Sequence, residues 1–179
     1  GHEYIGEVVQ TGSDVTLLKE GDRVISGGGE PPAGTVSTLF SGERYSARTV
    51  GLEATRIGGF AEYVAMDEWR PLLIPDDVSD ELAVLAEPAS IAVHAVRTSA
   101  FKIGDQAVVL GAGPIGLLVM QVLKAAGAAA VYVSEPASAR AESARVLGAD
   151  LVLNPMEEDV VERILELSGG PGVPVAFDA

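Results

Sequence analysis

The residues that point most directly to chemistry are three glycines, Gly111, Gly113 and Gly116, set between a strand-like and a helix-like segment. Before them, residues 106–110 form a short apolar, β-branched run that is typical of a buried parallel strand. After them, residues 114–126 favour a helix that ends at a glycine. In that context the spacing G-x-G-x-x-G predicts a turn that binds the pyrophosphate of a dinucleotide at the positive end of the helix.

Each glycine of such a turn has its own purpose. Gly111 permits the tight turn, Gly113 lets the pyrophosphate approach the backbone, and Gly116 lets the helix pack close to the strand. Pro114 and Ile115 complete the motif and are candidate cofactor-binding residues. The alternative is a glycine-rich turn in another α/β fold, because a glycine pattern by itself is a weak signal.

An acidic residue follows at the spacing that a dinucleotide site requires. Residues 129–133 predict a second strand, and Glu135 lies nineteen residues after Gly116. A carboxylate there is expected to bond the adenosine ribose hydroxyls and to repel a 2′-phosphate. Arg140, the next basic residue, is a further cofactor-binding candidate. The sequence therefore predicts NAD rather than NADP, the alternative being a Glu135 that is only solvated at a strand end.

Three other residues could hold a metal ion. His2 and Glu3 are adjacent and directly precede a strand, whereas Glu87 stands before Pro88 at the start of an apolar run. Imidazole and carboxylate groups are both zinc ligands. Each residue also has a structural explanation, since a strand-edge histidine is commonly structural and a glutamate in the first helical turn faces the helix dipole. Spacing alone leaves the choice open.

Two regions of different pattern must position these residues. Residues 1–97 are rich in glycine, valine and turns and predict an irregular β domain, with strands at Tyr4–Val9, Gly21–Ile25 and Phe60–Ala65. From residue 98 to 179 strands and helices alternate, which predicts a doubly wound parallel sheet and hence an α/β chain. The predicted strands are 106–110, 129–134, 150–153 and 173–178, and the predicted helices are 114–126, 137–147 and 157–168.

Composition excludes several classes of partner. The 26 acidic and 12 basic residues give a net charge of −14, and no Lys/Arg cluster stands out, so neither nucleic acid nor an anionic membrane is expected. No apolar run reaches the roughly 18 residues of a membrane span. The chain contains no cysteine, which excludes disulfides and thiolate metal sites within it and fits a cytoplasmic protein.

Taken together, the chain resembles the zinc-dependent medium-chain dehydrogenase family, in its alcohol, polyol, butanediol and threonine dehydrogenase branch. The resemblance covers nearly the whole chain in the right order, residues 27–57 excepted. The matching motifs are Gly1–Glu3, Gly6–Val9, Gly21–Val24, Gly58–Val64, Glu87-Pro88, Val93–Val96, Gly111–Gly116, Ser134–Pro136 and Leu147–Asp150.

The resemblance implies two domains. Residues 1–97 would be part of a GroES-like catalytic domain, and residues 98–179 part of a Rossmann NAD-binding domain. It implies that His2 is a catalytic zinc ligand, that Glu87 takes the third protein-ligand position, and that Glu3 lies beside the metal and can exchange with a bound water. A cysteine ligand and a relay hydroxyl would lie upstream of residue 1.

One departure from the family concerns residues 27–57. Many of these dehydrogenases carry four cysteines there that close a structural zinc site, and this chain has none. We therefore expect one catalytic zinc ion, no structural zinc, and a reshaped or mobile lobe. We also expect an internal fragment of a longer protein, inactive in isolation and a homo-oligomer, dimer or tetramer, when complete.

The resemblance implies a cytoplasmic oxidoreductase that transfers a hydride from a secondary alcohol to NAD. The expected substrates are a small diol, a polyol or a hydroxy-amino acid. Two alternatives remain at this stage: a zinc-free medium-chain quinone or enone reductase, and a non-catalytic dinucleotide-binding protein.

Overall fold

A computed structural model describes residues 1–26 and 58–179 of the chain. These residues form two compact units, Gly1–Glu87 and Pro88–Ala179. The predicted lobe at 27–57 lies outside the described residues. Within the described residues, no helix is both long and apolar enough to cross a bilayer.

The first unit is built on a three-stranded antiparallel sheet. Strands β1 (Ile5–Glu7), β2 (Arg23–Ile25) and β3 (Leu72–Leu73) lie in the order β1-β2-β3. Ile5 pairs with Ile25, and the Val24–Leu73 pair joins the second strand to the third. The short strands are those of an irregular β domain, as the sequence predicted.

A short helix closes the apolar side of this sheet. Helix α1 (Asp80–Ala83) begins at Ser79, whose hydroxyl accepts a hydrogen bond from the Leu82 N–H at 3.4 Å. Its Ala83 packs with Ile25 and Ile74 in a small core. Arg23 binds Asp80, which ties the helix to β2.

The strand predicted at Phe60–Ala65 is wrong. The backbone of these residues is irregular, and the Phe60 side chain is 96% exposed. A strand requires a neighbouring strand that accepts and donates its hydrogen bonds, and none of the strands in the described residues pairs with this segment. Alternation of apolar and polar side chains is therefore not enough to predict a strand at Phe60–Ala65.

The second unit alternates helices and strands. It starts within helix α2, and its elements follow closely the predicted pattern. The elements are α2 (Ala86–Thr98), β4 (Gln106–Leu110), α3 (Pro114–Ala125), β5 (Ala130–Ser134), α4 (Ser138–Val146), β6 (Leu151–Leu153), α5 (Val160–Leu167) and β7 (Val175–Asp178). The sequence places the domain boundary at the end of α2, and that placement stays a prediction.

The four strands of this unit form one parallel sheet in the order β6-β5-β4-β7. The chain moves outward from β4 to β6 and then returns to the other side of β4. The strand order therefore reverses between β4 and β7. In open α/β sheets this reversal creates a crevice at the carboxyl ends of the strands, where ligands bind.

The core of the second unit explains why these segments fold as they do. Strand β4 buries Ala107 and Val109 completely, and helix α3 buries Met120 and Leu123 against the same cluster. A parallel sheet needs apolar cover on both faces, and α5 covers the opposite face through Ile164. The doubly wound α/β architecture predicted from the sequence is thus confirmed.

We predict that Leu123→Ala lowers the free energy of unfolding by about 2–5 kcal/mol, because it leaves a cavity in a fully buried site. Gln121→Ala, an exposed change on the same helix, should alter it by less than about 0.5 kcal/mol. Urea unfolding followed by circular dichroism measures both. Equal losses for the two variants would contradict this packing.

Candidate functional site

His2 is held at the start of β1 by backbone contacts on both sides. The Gly59 N–H donates to the Gly1 carbonyl at 2.6 Å, and the Ser26 N–H donates to the Tyr4 carbonyl at 3.0 Å. The two bonds attach the segment around His2 to the glycine pair at 58–59 and to the end of β2. The backbone on either side of His2 is therefore held in place by hydrogen bonds to other parts of the first unit.

Tyr4 explains why residue 59 is a glycine. A side chain at Gly59 would lie 2.6 Å from the Tyr4 ring. The half-buried Tyr4 hydroxyl donates to the Met66 sulfur at 3.7 Å, and burial raises the pKa of that hydroxyl while the Arg70 charge opposes the rise. Tyr4 is thus a packing residue beneath the Gly-His-Glu segment.

The structure brings the three predicted metal ligands together. Glu87 is the second residue of α2, and its carboxylate Oε1 lies 3.4 Å from His2 Nε2. Glu3 Oε1 lies 3.9 Å from the same nitrogen. One ligand atom from each of the three residues falls within 4.8 Å of the others. All three residues belong to the first unit.

The donor set fits a zinc ion. Ligand atoms about 2.1 Å from a tetrahedral zinc lie roughly 3.4 Å apart, which matches the distance between His2 and Glu87. One imidazole and two carboxylates are ligand types that zinc accepts, with a position left for water or substrate. A cation among the three would also offset the repulsion between the two carboxylates.

Glu3 and Glu87 differ in the solvent exposure of their side chains. The side chains of His2 and Glu87 are 27% and 23% exposed, whereas that of Glu3 is 52% exposed. Glu87 also lies in the first turn of a helix, where the helix dipole stabilises a negative charge. Glu87 is therefore the better placed fixed ligand, and Glu3 is the acid with more room to move toward or away from a metal.

The predicted dinucleotide turn lies at the carboxyl end of β4, where the strand order of the parallel sheet reverses. Gly111 directly follows β4 with a positive φ of +102°, and a side chain there would clash with the Ala179 carbonyl at the end of β7. A side chain at Gly116 would clash with the Gly111 carbonyl. Close backbone packing within the protein therefore requires glycine at positions 111 and 116, whether or not a ligand is bound.

The second glycine has no such requirement. Gly113 caps α3 in an extended conformation with φ −70°, which any residue adopts. Among the described residues, no atom beyond its chain neighbours lies within 4 Å of where its Cβ would be. The empty space at Gly113 is what a pyrophosphate approaching the helix N-terminus would need.

The other residues of the motif support this turn. Pro114 is the first residue of α3, where its missing N–H costs nothing. Ile115 is partly buried and packs against the core. A direct contact of either residue with a cofactor stays a prediction.

Glu135 is bonded within the protein on both of its oxygens. Oε2 accepts from the Ala112 N–H at 2.9 Å and from Arg140 Nε at 3.0 Å. Oε1 accepts from the Ala137 N–H at 2.7 Å and from Arg140 Nη2 at 3.0 Å. The residue as a whole is 3% exposed, and its carboxylate joins the glycine turn to the start of α4.

These bonds strongly favour the ionised form. Hydrogen bonds from Arg140 lower the pKa of the Glu135 carboxyl from 4.5 to about 2, against the effect of burial, and the two backbone N–H groups act in the same direction as Arg140. The solvated Glu135 considered as an alternative is therefore wrong. Sequence spacing identified the residue but not its partners, because the Ala112 contact joins two separate loops.

Comparison with known proteins identifies the family. Residues 1–76 match the alcohol dehydrogenase GroES-like domain, and residues 114–179 match the zinc-binding dehydrogenase domain. The chain belongs to the zinc-dependent medium-chain dehydrogenase family. The resemblance seen in the sequence is thereby confirmed.

Three relatives illustrate the similarity. The (R,R)-butanediol dehydrogenase of Bacillus subtilis (strain 168) is 44% identical over 99% of this chain and 50% of its own length. A solved structure of the 2R,3R enzyme from Bacillus subtilis has a TM-score of 0.82 at 43% identity, over 100% of this chain and 50% of that chain. The L-threonine 3-dehydrogenase of Pseudoalteromonas translucida (strain TAC 125) is 37% identical, over 99% of this chain and 52% of its own length.

A further solved structure is that of a zinc-binding dehydrogenase from Sinorhizobium meliloti 1021 bound to NADP. It has a TM-score of 0.83 at 32% identity, over 100% of this chain and 53% of that chain. The chain thus spans about half the length of the relatives it matches.

We predict that, in the acid range, the free energy of unfolding of the Glu135→Gln variant depends less on pH than that of the wild type. The folded pKa lies below the unfolded one, so the ionised carboxylate stabilises the fold above about pH 4.5, and this contribution disappears as the pH falls toward 2. The variant should lose on the order of 3 kcal/mol at pH 7 and little further between pH 4.5 and 2. Urea unfolding at several pH values measures this. Glu142→Gln, which removes an exposed carboxylate paired with Arg145, is the control and should keep the wild-type pH profile.

We predict opposite outcomes for two glycine substitutions in the turn. Gly116→Ala should destabilise the fold by about 1–3 kcal/mol, because its Cβ meets a backbone carbonyl. Gly113→Ala should cost about 1 kcal/mol or less but weaken binding of ADP-ribose at least about tenfold by filling the space that the pyrophosphate needs. Urea unfolding measures the loss of stability, and calorimetric titration with ADP-ribose measures the loss of affinity. Unimpaired binding to the Gly113 variant would contradict the assignment of the turn.

Proposed function

We propose that the protein is a zinc-dependent oxidoreductase that transfers a hydride from a secondary alcohol to a nicotinamide dinucleotide. The observation that carries the proposal is the cluster of His2, Glu3 and Glu87, whose ligand atoms come within 4.8 Å of one another. The same chain carries a glycine turn with space at Gly113 for a pyrophosphate. A metal centre and a dinucleotide turn are the two parts that this chemistry needs.

The residues of the cluster would divide the work at the metal. A bound zinc ion with an open position lowers the pKa of an alcohol hydroxyl. His2 offers the imidazole nitrogen, and Glu87, the less exposed acid, offers a fixed carboxylate. The more exposed Glu3 is suited to an exchangeable position, which it would share with water.

The second unit would hold the cofactor. The N-terminus of α3 would hold the pyrophosphate, and the Glu135–Arg140 pair stands at the strand end where the adenosine ribose is expected. A bound nicotinamide would supply the hydride acceptor. The sequence predicts NAD as the cofactor, on the strength of the carboxylate at position 135.

Substrate class follows from the relatives. Butanediol and threonine each carry a secondary hydroxyl group beside a second polar group, and we propose a substrate of that kind, a diol, polyol or hydroxy-amino acid. The zinc-free quinone reductase is the weaker alternative, because such an enzyme has no need for two carboxylates beside an imidazole.

Three further proposals rest on the sequence. The absence of cysteine supports a single catalytic zinc without a structural one, and it supports a cytoplasmic location. A homo-oligomer is proposed by resemblance to the family.

We predict about one zinc ion per chain, bound through His2 and Glu87. His2→Ala and Glu87→Ala should each weaken zinc binding at least about tenfold, since even the loss of an outer-shell partner commonly costs 10–100-fold. His94→Ala is the matched control, because His94 is an exposed histidine further along α2. Elemental analysis after dialysis and calorimetric zinc titration measure the effect. Dinucleotide binding without any zinc would favour the zinc-free reductase.

A further inference from the structure

The turn that precedes β3 holds an arginine almost entirely below the surface of the first unit. The Arg70 N–H donates to the Asp67 carbonyl at 3.0 Å, which closes the turn. The Arg70 side chain is 5% exposed. A buried charge is costly unless it is paired and hydrogen-bonded, so the partners of this guanidinium determine what else it can bind.

The contacts of Arg70 leave part of its guanidinium unused. Nε donates to Asp67 Oδ2 at 3.3 Å, and that carboxylate is itself 58% exposed. The Trp69 ring lies over one face of the guanidinium, with its centre 4.5 Å from the guanidinium carbon. Among the described residues, no acceptor is bonded to Nη1 or Nη2. These two nitrogens carry four of the five N–H donors, and two donors on one edge match the two oxygens of a carboxylate or a phosphate.

The two Nη groups of Arg70 can be reached from solvent. Every fully buried side-chain nitrogen and oxygen in the described part of the chain has a hydrogen-bond partner. Since Nη1 and Nη2 have no partner there, they must keep some access to solvent although the side chain as a whole is nearly enclosed. A cation that is desolvated along its length and open at its tip attracts an anion more strongly than an exposed arginine does, because its charge is less screened.

The acids of the same turn compete weakly for this edge. The Glu68 carboxylate is bonded to another loop, where Oε2 accepts from the N–H groups of Thr16 and Leu17 at 2.7 and 2.8 Å. Asp67 bonds to Nε through a long contact, and an ion pair with an exposed partner contributes little. An outside anion therefore meets a guanidinium whose charge is only partly balanced.

We propose that Arg70 binds a small oxyanion, a carboxylate or a phosphate group, through the edge that carries its two Nη groups. Trp69 supports the guanidinium on one face, and Asp67 stays on Nε beside the bound anion. Arg70, Trp69 and Asp67 all belong to the first unit, and neither the metal nor the dinucleotide is needed for this binding.

The position of Trp69 provides a direct test, because it is the single tryptophan of the chain and contacts the binding group. Titration with sodium phosphate and with sodium acetate, at an ionic strength held constant with sodium chloride, should change the Trp69 fluorescence in a saturable way. We expect a dissociation constant on the order of 1 mM for the better ligand, as two charge-assisted hydrogen bonds would give. Tighter binding of phosphate would assign the site to phosphate groups, and tighter binding of acetate would assign it to carboxylates.

Substitutions at both ends of the Asp67–Arg70 pair locate the anion. Arg70→Gln should weaken binding at least about tenfold, and Arg70→Lys, which keeps the charge but loses the paired donors, should lie between it and the wild type. Asp67→Asn changes an exposed residue and should tighten binding about two- to fivefold, because a competing charge is removed. It decides the matter even where a substitution of the buried arginine prevents folding.

Asp76→Asn is the matched control, since it removes the same charge from another exposed position of the first unit. It should leave the dissociation constant unchanged. The absence of a saturable signal from both the wild type and Asp67→Asn would overturn the proposal. So would a saturable signal with the same dissociation constant in the wild type, Asp67→Asn and Arg70→Lys, because the anion would then bind elsewhere.

Discussion

The central position of β4 is the constraint on which the second unit depends. Because β4 pairs with β5 on one side and β7 on the other, its residues must be apolar on both faces, and Ala107 and Val109 are fully buried. The same pairing makes the strand order reverse at its carboxyl end. The glycine turn lies at that reversal, where Gly111 meets the Ala179 carbonyl so closely that a side chain is excluded. Packing requirements in the sheet therefore create the opening in which a dinucleotide is expected.

The acidic side chains of the two units have different kinds of partner. In the second unit, the buried Glu135 carboxylate is matched by a bidentate arginine and two backbone N–H groups, so its cost of burial is met within the protein. In the first unit, the carboxylates of Glu3 and Glu87 lie beside the His2 imidazole, at 3.9 and 3.4 Å from its Nε2. The bonds of Glu135 connect the glycine turn to the start of α4, whereas acids gathered around an imidazole suit the binding of a cation.

Local sequence patterns were sufficient to predict the strands and helices of the second unit. Its strands are short apolar runs bounded by glycine, and glycines such as Gly127 and Gly148 follow the helices with positive φ, so periodicity and end signals agreed with the structure. The irregular segment at Phe60–Ala65 shows the limit of that method. Alternation describes how a side chain would face if the segment were a strand, but pairing depends on another part of the chain.

The candidate sites were predictable to different degrees for the same reason. The glycine turn is contiguous, so its motif could be read directly, and its spacing also located Glu135. The approach of Glu87 to His2 depends on how the start of α2 meets the start of β1, and only the family resemblance anticipated it. The bonds of Glu135 were not foreseen, because they depend on two loops that meet beyond β4 and β5. Spacing along the chain therefore located the acid, whereas its bonding partners depend on contacts between separate loops.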